Sequence, residues 1–151
     1  MDGDAPGLMF PLKGKLALTV SRGKGSYLYC SSGQRLLDFY TGHGVALLGH
    51  GEPEFYEALE KQVRRLVFVS ALADLRERKR AARLLLKFCG PAYDKVFFVN
   101  SGAEANEVAI KTARKATGRL RILAFEGGFH GRTYATLSAC RLPAYRRTIS
   151  P

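Results

Sequence analysis

Acidic residues are scarce in this chain. Only 13 Asp and Glu stand against 24 Lys and Arg in 151 residues, a formal charge of +11. A balance this basic points to an acidic partner, an anionic substrate or nucleic acid, or to a solvated surface of unpaired cations. Cysteine is scarce too. Cys30, Cys89 and Cys140 are far apart, and no C-x-x-C pair occurs. Neither a disulfide framework nor a zinc site is signalled, and free thiols fit a reducing, cytoplasmic setting. No apolar run approaches membrane-spanning length. Met1 to Phe10 lacks a basic region followed by an apolar stretch, so no signal peptide is expected. Low-complexity segments and internal repeats are missing as well. What is present, 46% apolar and 25% charged residues, is the composition of one ordinary globular domain.

Punctuation by glycine and proline divides the chain. Gly3, Pro6, Gly7 and Pro11 make residues 1–15 a loose leader. From Leu16 the pattern is strand-like. Ser26–Cys30 and Arg35–Tyr40 flank the turn Ser31-Ser32-Gly33-Gln34, a hairpin signal. Thr41 to Glu52 is glycine-rich and expected to be largely loop. Pro53 suits a first helical position. Phe55, Leu59, Val63 and Leu66 then recur at helical spacing, which predicts a helix to about Val67. Residues 16–70 thus form an N-terminal segment with the hairpin and first helix. A second helix is expected from about Ala73 to Phe88, stopped by Gly90-Pro91.

From residue 71 the chain reads as the start of a larger α/β domain. Lys95–Val99 (KVFFV) and Leu120–Phe125 (LRILAF) are short β-prone runs around a helix expected over Ala103–Ala116. Glu104 and Glu107 near its start and Lys111, Arg114 and Lys115 near its end suit the helix dipole. Glu107 and Lys111 have the spacing of a favourable ion pair, and Gly118 closes the helix. Strand, helix and strand in about thirty residues is the size of a right-handed, parallel βαβ unit. A short helix from about Arg132 to Ala139 follows.

Two loops leave the carboxyl ends of those strands, where α/β sheets gather ligands. In Asn100-Ser101-Gly102-Ala103-Glu104-Ala105-Asn106, small residues open directly into a helix. The backbone amides of Gly102 and Ala103 can approach an anion there, and a phosphate is the natural guest. Plain N-capping by Ser101 is the competing reading. In Glu126-Gly127-Gly128-Phe129-His130-Gly131-Arg132-Thr133, Phe129 could stack on a flat ring or fill a core. Arg132 could fork a carboxylate or make a surface salt bridge. His130 could be a hydrogen-bonded structural histidine.

These strings carry a resemblance. VFFVNSGAEANEVAIKTAR followed by ILAFEGGFHGRT is very similar to class III aminotransferases, and LLDFYTGHGVALLGHGEP resembles their segment before the first long helix. The similarity runs from about Leu16 to Pro151 and points to the acetylornithine branch. That branch includes enzymes of lysine and arginine synthesis whose substrate rides on a small acidic carrier protein. The resemblance implies an α/β chain: part of the fold type I of pyridoxal-phosphate enzymes, with the N-terminal hairpin and helices and the first βαβ of the large-domain sheet. It implies pyridoxal 5'-phosphate as cofactor, its phosphate on the amides of Gly102 and Ala103, its pyridine ring on Phe129, and a substrate carboxylate on Arg132. Ser101 and His130 would support the loops, and His130 carries no catalytic proton transfer. Metal is not implied.

The implied reaction moves an amino group between glutamate and 2-oxoglutarate on one side and the semialdehyde of an acylated or carrier-linked ornithine or lysine precursor on the other. The implied partners are these amino-acid substrates, an acidic amino-group carrier protein and a second copy of the chain. His43 and Glu52 depart from the family pattern, where an aliphatic residue and a histidine are common. The family's Schiff-base lysine, the aspartate facing the pyridine nitrogen and a phosphate-binding threonine all lie further along. No lysine here matches, so no catalytic residue is assigned, and the 151 residues alone are expected to be inactive and aggregation-prone. Alternatives are an aminomutase or another ω-aminotransferase on the same loops, or a non-catalytic basic module using Arg64-Arg65, Arg76 to Arg83 and Arg146-Arg147. Nucleic acid ranks low as a partner, since no aromatic-basic RNA motif is present.

Overall fold

The computed structural model describes residues 16–140. The expected leader at 1–15 and the pair Arg146-Arg147 lie outside the described residues. The chain divides into two compact units at Ala73/Asp74.

The N-terminal unit is built on an antiparallel sheet of order β1-β2-β3, from β1 (Val20–Lys24), β2 (Tyr27–Cys30) and β3 (Arg35–Leu37). Gly25-Ser26 joins β1 to β2, with Gly25 at φ 55° as a two-residue hairpin turn requires. The second turn is the expected one. Gly33 takes φ 84°, its N–H reaches Cys30 O at 3.0 Å, and Cys30 N–H reaches Gln34 O at 2.9 Å. The register pairs Tyr27 with Leu37 and Tyr29 with Arg35. Across the sheet the Arg22 guanidinium lies 3.7 Å from the Tyr29 ring centre, and that of Arg35 4.7 Å from Tyr27. These cation–π contacts hold aromatic faces that no core covers.

The glycine-rich stretch is mostly loop, with one unexpected feature. Thr41–Gly44 (α1) is a single left-handed turn, with φ of 48°, 58°, 65° and 76° along its four residues. Thr41 and His43 are not glycines, and a β-branched residue in this region is strained. Asp38 holds the turn. Its Oδ1 accepts from Thr41 N–H at 2.7 Å and Tyr40 N–H at 3.1 Å, and its Oδ2 meets His50 Nε2 at 2.9 Å. The Asp38 side chain is only 7% exposed. The His50 hydrogen bond, then the Thr41 amide, hold its carboxyl below the ordinary 3.8 against the cost of burial. The helix α2 (Pro53–Arg65) begins at Pro53 as expected. Its apolar stripe, Phe55, Leu59 and Val63, stays about half exposed.

The second unit holds α3 (Arg76–Cys89), α4 (Gly102–Thr117) and α5 (Tyr134–Ala139). The helix α3 starts at Arg76 rather than Ala73, because Leu75 is still extended. Gly118 closes α4 in the left-handed conformation, its N–H bonded to Arg114 O at 2.9 Å. The helix α5 starts at Tyr134 rather than Arg132, because Thr133 and Thr136 form a reciprocal capping box.

The expected β-α-β unit is not formed: only its helix, α4, is present, and residues 95–99 and 120–125 are extended segments that form no ladder with each other or with any described strand. Phe97, Leu123 and Phe125 are 74%, 97% and 86% exposed. Parallel sheets have both faces covered, and these segments have neither cover nor a ladder partner among the described residues. The buried apolar side chains are few, Cys30 in the first unit and Leu137 and Cys140 in the second. No helix among the described residues is long and apolar enough to cross a membrane.

Candidate functional site

The second unit brings the two glycine loops together at the start of α4. Ser101 is the N-cap. Its Oγ accepts from Glu104 N–H at 3.2 Å, so the capping reading of Ser101 holds. Glu104 returns its carboxylate to the preceding turn, accepting from Asn100 N–H at 2.6 Å and Asn100 Nδ2 at 3.1 Å. Between them, the N–H groups of Gly102 and Ala103 make no hydrogen bond among the described residues. A Cβ on Gly102 would meet nothing within 4 Å. Two free amides at a helix N-terminus, with open space before them, fit an anion such as a phosphate.

The second loop lies directly against this end. Gly131 has φ 137°, and a Cβ there would come within 2.7 Å of Ala103 Cβ and 2.6 Å of Thr136 Oγ1. Only glycine permits that approach. Asn106 Nδ2 donates to His130 O at 2.7 Å. Thr133 Oγ1 and Ala135 N–H donate to Glu107 Oε1 at 2.6 Å and 3.2 Å. Glu107 therefore does not form the expected ion pair with Lys111, which adds only longer-range attraction. The Thr133 hydroxyl first, and then the Thr136 and Ala135 amides, hold the Glu107 carboxyl below its ordinary 4.5.

His130 is built into the loop. Its N–H faces Cys140 Sγ at 3.2 Å, and its Nε2 is buried without a partner among the described residues. His130 also lines an apolar cavity of about 160 Å³, with Ile110, Ile122, Leu123 and Ala139. Phe129 and Arg132 differ from His130. The Phe129 ring is 57% exposed and stacks on no other ring, and the exposed Arg132 guanidinium pairs with no carboxylate among the described residues. Of the residues singled out from sequence, Ser101 and His130 are occupied in holding the loops. Gly102, Ala103, Phe129 and Arg132 are left unengaged around one corner of the unit. Sequence reasoning missed Asn106, Gly131, Thr133 and the true partner of Glu107. The one available signal was the glycine–arginine–threonine order just before a helix.

A cavity of about 640 Å³ in the N-terminal unit is lined by residues such as Lys24, Tyr27, Arg35, His50 and Glu52.

Fold and loops define a transaminase-type pyridoxal-phosphate fold. An ω-transaminase from Pseudomonas jessenii, solved in complex with PMP, superposes with a TM-score of 0.80 at 29% identity, over 87% of this chain and 31% of that one. The family model described as aminotransferase class-III matches residues 11–151, so the chain belongs to the class III aminotransferases. An acetylornithine aminotransferase of Halalkalibacterium halodurans is 46% identical over 87% of this chain and 34% of its own length. A LysW-linked aminoadipate semialdehyde/glutamate semialdehyde transaminase of Sulfolobus acidocaldarius is 38% identical over 95% of this chain and 37% of its own. The chain thus spans about a third of the length of these relatives. The cofactor of the family is pyridoxal 5'-phosphate, and the free amides and unengaged ring fit its phosphate and its pyridine.

Proposed function

We propose that these loops are the phosphate-and-carboxylate corner of an aminotransferase that moves an amino group between glutamate/2-oxoglutarate and the semialdehyde of an acylated or carrier-linked ornithine or lysine precursor. The observation that carries this reading is the contact of Gly131 on Ala103, which joins two free helix amides to an unengaged aromatic ring and an unengaged arginine. Pyridoxal phosphate, when bound, supplies the electron sink through which the amino group moves. Gly102 and Ala103 would hold the phosphate by their N–H groups, with the α4 dipole adding attraction. Phe129 would lie on the ring and exclude water from its face. Arg132 would fork the substrate carboxylate and so orient the amino group. The chain works as a homodimer in this reading.

The test uses the full chain. Phe129→Ala is expected to weaken cofactor retention, and unchanged affinity would remove the stacking role. Arg132→Ala is expected to raise KM for the acylated substrate by roughly 100-fold, the loss of a charge-assisted pair. An unaltered KM would sink that assignment.

The carrier-linked form of the substrate has separate support. On α3, Arg76, Arg80, Arg83 and Lys87 are exposed at i, i+4, i+7 and i+11, one continuous cationic stripe. Leu85, Cys89 and Ala82 fall on the opposite face. Such a stripe suits an acidic carrier protein and would act mainly on encounter rate. Equal turnover of free and carrier-bound substrate would argue against it.

A further inference from the structure

We infer that Glu107 is a positioning residue: from the second turn of α4 it clasps the start of α5 and thereby sets where Arg132 stands relative to the Gly102 and Ala103 amides. The inference rests on the reading of Arg132 just given and adds a residue to it. Three observations carry it. First, Glu107 Oε1 takes two donors from one place, Thr133 Oγ1 at 2.6 Å and Ala135 N–H at 3.2 Å, so the clasp is directional rather than a loose ion pair. Secondly, Thr133 is the residue after Arg132 and is the N-cap of α5, with its Oγ1 also 2.7 Å from Thr136 Oγ1. Fixing Thr133 fixes the backbone from which Arg132 projects. Thirdly, the exposed Arg132 has no carboxylate partner of its own among the described residues, so its placement starts from the backbone that Thr133 fixes.

The clasp closes a small circuit. Gly131 presses on Ala103 at the first turn of α4, Asn106 holds His130 O at 2.7 Å, and Glu107 holds Thr133. Three consecutive contacts tie residues 130, 131 and 133 to 106, 103 and 107. Arg132 is the residue in that run left out of the circuit, and it is the one with a free guanidinium. The carboxylate is kept ionised by its donors and by Lys111, so it remains a pure acceptor and cannot turn to donate toward a substrate. Its Oε1 is taken up by Thr133 and Ala135, and it forms no ion pair with Arg132 among the described residues.

The test is a cycle in the full-length holoenzyme, with three readouts: KM for the carboxylate-bearing substrate, kcat, and pyridoxal-phosphate affinity by absorbance titration. Glu107→Ala is expected to raise KM about 10-fold, the effect of one or two lost hydrogen bonds, with kcat and cofactor affinity within about 2-fold. Glu107→Gln keeps an acceptor and is expected to recover most of the loss. Thr133→Val removes the other half of the clasp and is expected to resemble Glu107→Ala, which keeps the test open should one variant fold poorly. The decisive point is Glu107→Ala on the Arg132→Ala background. If Glu107 acts through Arg132, it adds no further rise in KM. An additive rise, or parallel losses of kcat, cofactor affinity and Tm, overturns the inference and leaves Glu107 a plain structural brace. An Arg132→Ala variant that itself leaves KM unaltered overturns the parent reading instead.

Discussion

Two sets of β-prone segments in this chain meet different fates. β1, β2 and β3 find one another within residues 20–37, through two tight turns, and make an antiparallel ladder. The segments 95–99 and 120–125 are at least as apolar, yet they pair with nothing among the described residues. The difference lies in connection, not in strand propensity. An antiparallel ladder is completed by a two- to four-residue turn, whereas parallel strands joined by a helix depend on neighbours that the connection does not supply. Local sequence is enough for the first sheet. For the second, the same residues specify only which faces are apolar.

Hydrogen exchange on the 151-residue chain tests this comparison most sharply. Amides of β2, bonded on both sides, are expected to exchange at least about 100-fold more slowly than those of 95–99 and 120–125. Comparable exchange in both would erase the distinction. The next effect belongs to the loop that substitutes for sheet pairing in the second unit. Gly131→Ala drives a methyl to 2.6 Å from Thr136 Oγ1 and 2.7 Å from Ala103 Cβ. It is expected to destabilise the full chain by about 3 kcal/mol in urea denaturation, through overpacking and backbone strain together; a midpoint like that of the parent would mean the approach to Ala103 is slack. The N-terminal unit offers the opposite sign. Thr41 adopts a glycine's backbone at φ 48°, so Thr41→Gly is expected to raise stability by about 1 kcal/mol, seen as a higher Tm. A fall would show that the threonine side chain contributes more than its strain costs. The smallest effect is on pH dependence. Asp38 has a depressed folded pKa, so its contribution is present above 3.8 and is lost as pH falls through the lowered value. Asp38→Asn is expected to flatten that acid limb in NMR spectra of the β2 amides, and an unchanged limb would assign it to other carboxylates.

The features that were legible in sequence are those set within a few residues. Pro53 at the first helical position, Gly118 at a C-cap, Gly33 in a turn and Ser101 at an N-cap each act on the adjacent backbone, and each is found where its chemistry puts it. The glycine loops were legible as loops, and the family followed from their order. What was not legible spans distance. Glu107 and Thr133 are 26 residues apart, and nothing local distinguishes that contact from an i,i+4 pair with Lys111. The left-handed turn at Thr41 was hidden because threonine disfavours it; the Asp38 carboxylate, itself held by His50 twelve residues on, helps to stabilise it there. Ladder partners for 95–99 and 120–125 are invisible for the same reason, since pairing is a property of two segments and each shows only one.

The link between Gly25 and His50 bears on when, rather than how, the chain folds. Gly25 N–H meets His50 O at 2.6 Å and His50 N–H meets Gly25 O at 2.8 Å, with Asp38 spanning the interval. Everything needed to close this loop has been synthesised once residue 50 has emerged. A hairpin forms in about 1–10 μs, while a ribosome adds a residue in roughly 0.1 s. Residues 20–50 can therefore be in place before α3 has been made, whereas the apolar segments around α4 stay exposed without a ladder partner among the described residues. A nascent chain of this kind is more in need of a chaperone after its N-terminal sheet has closed than before.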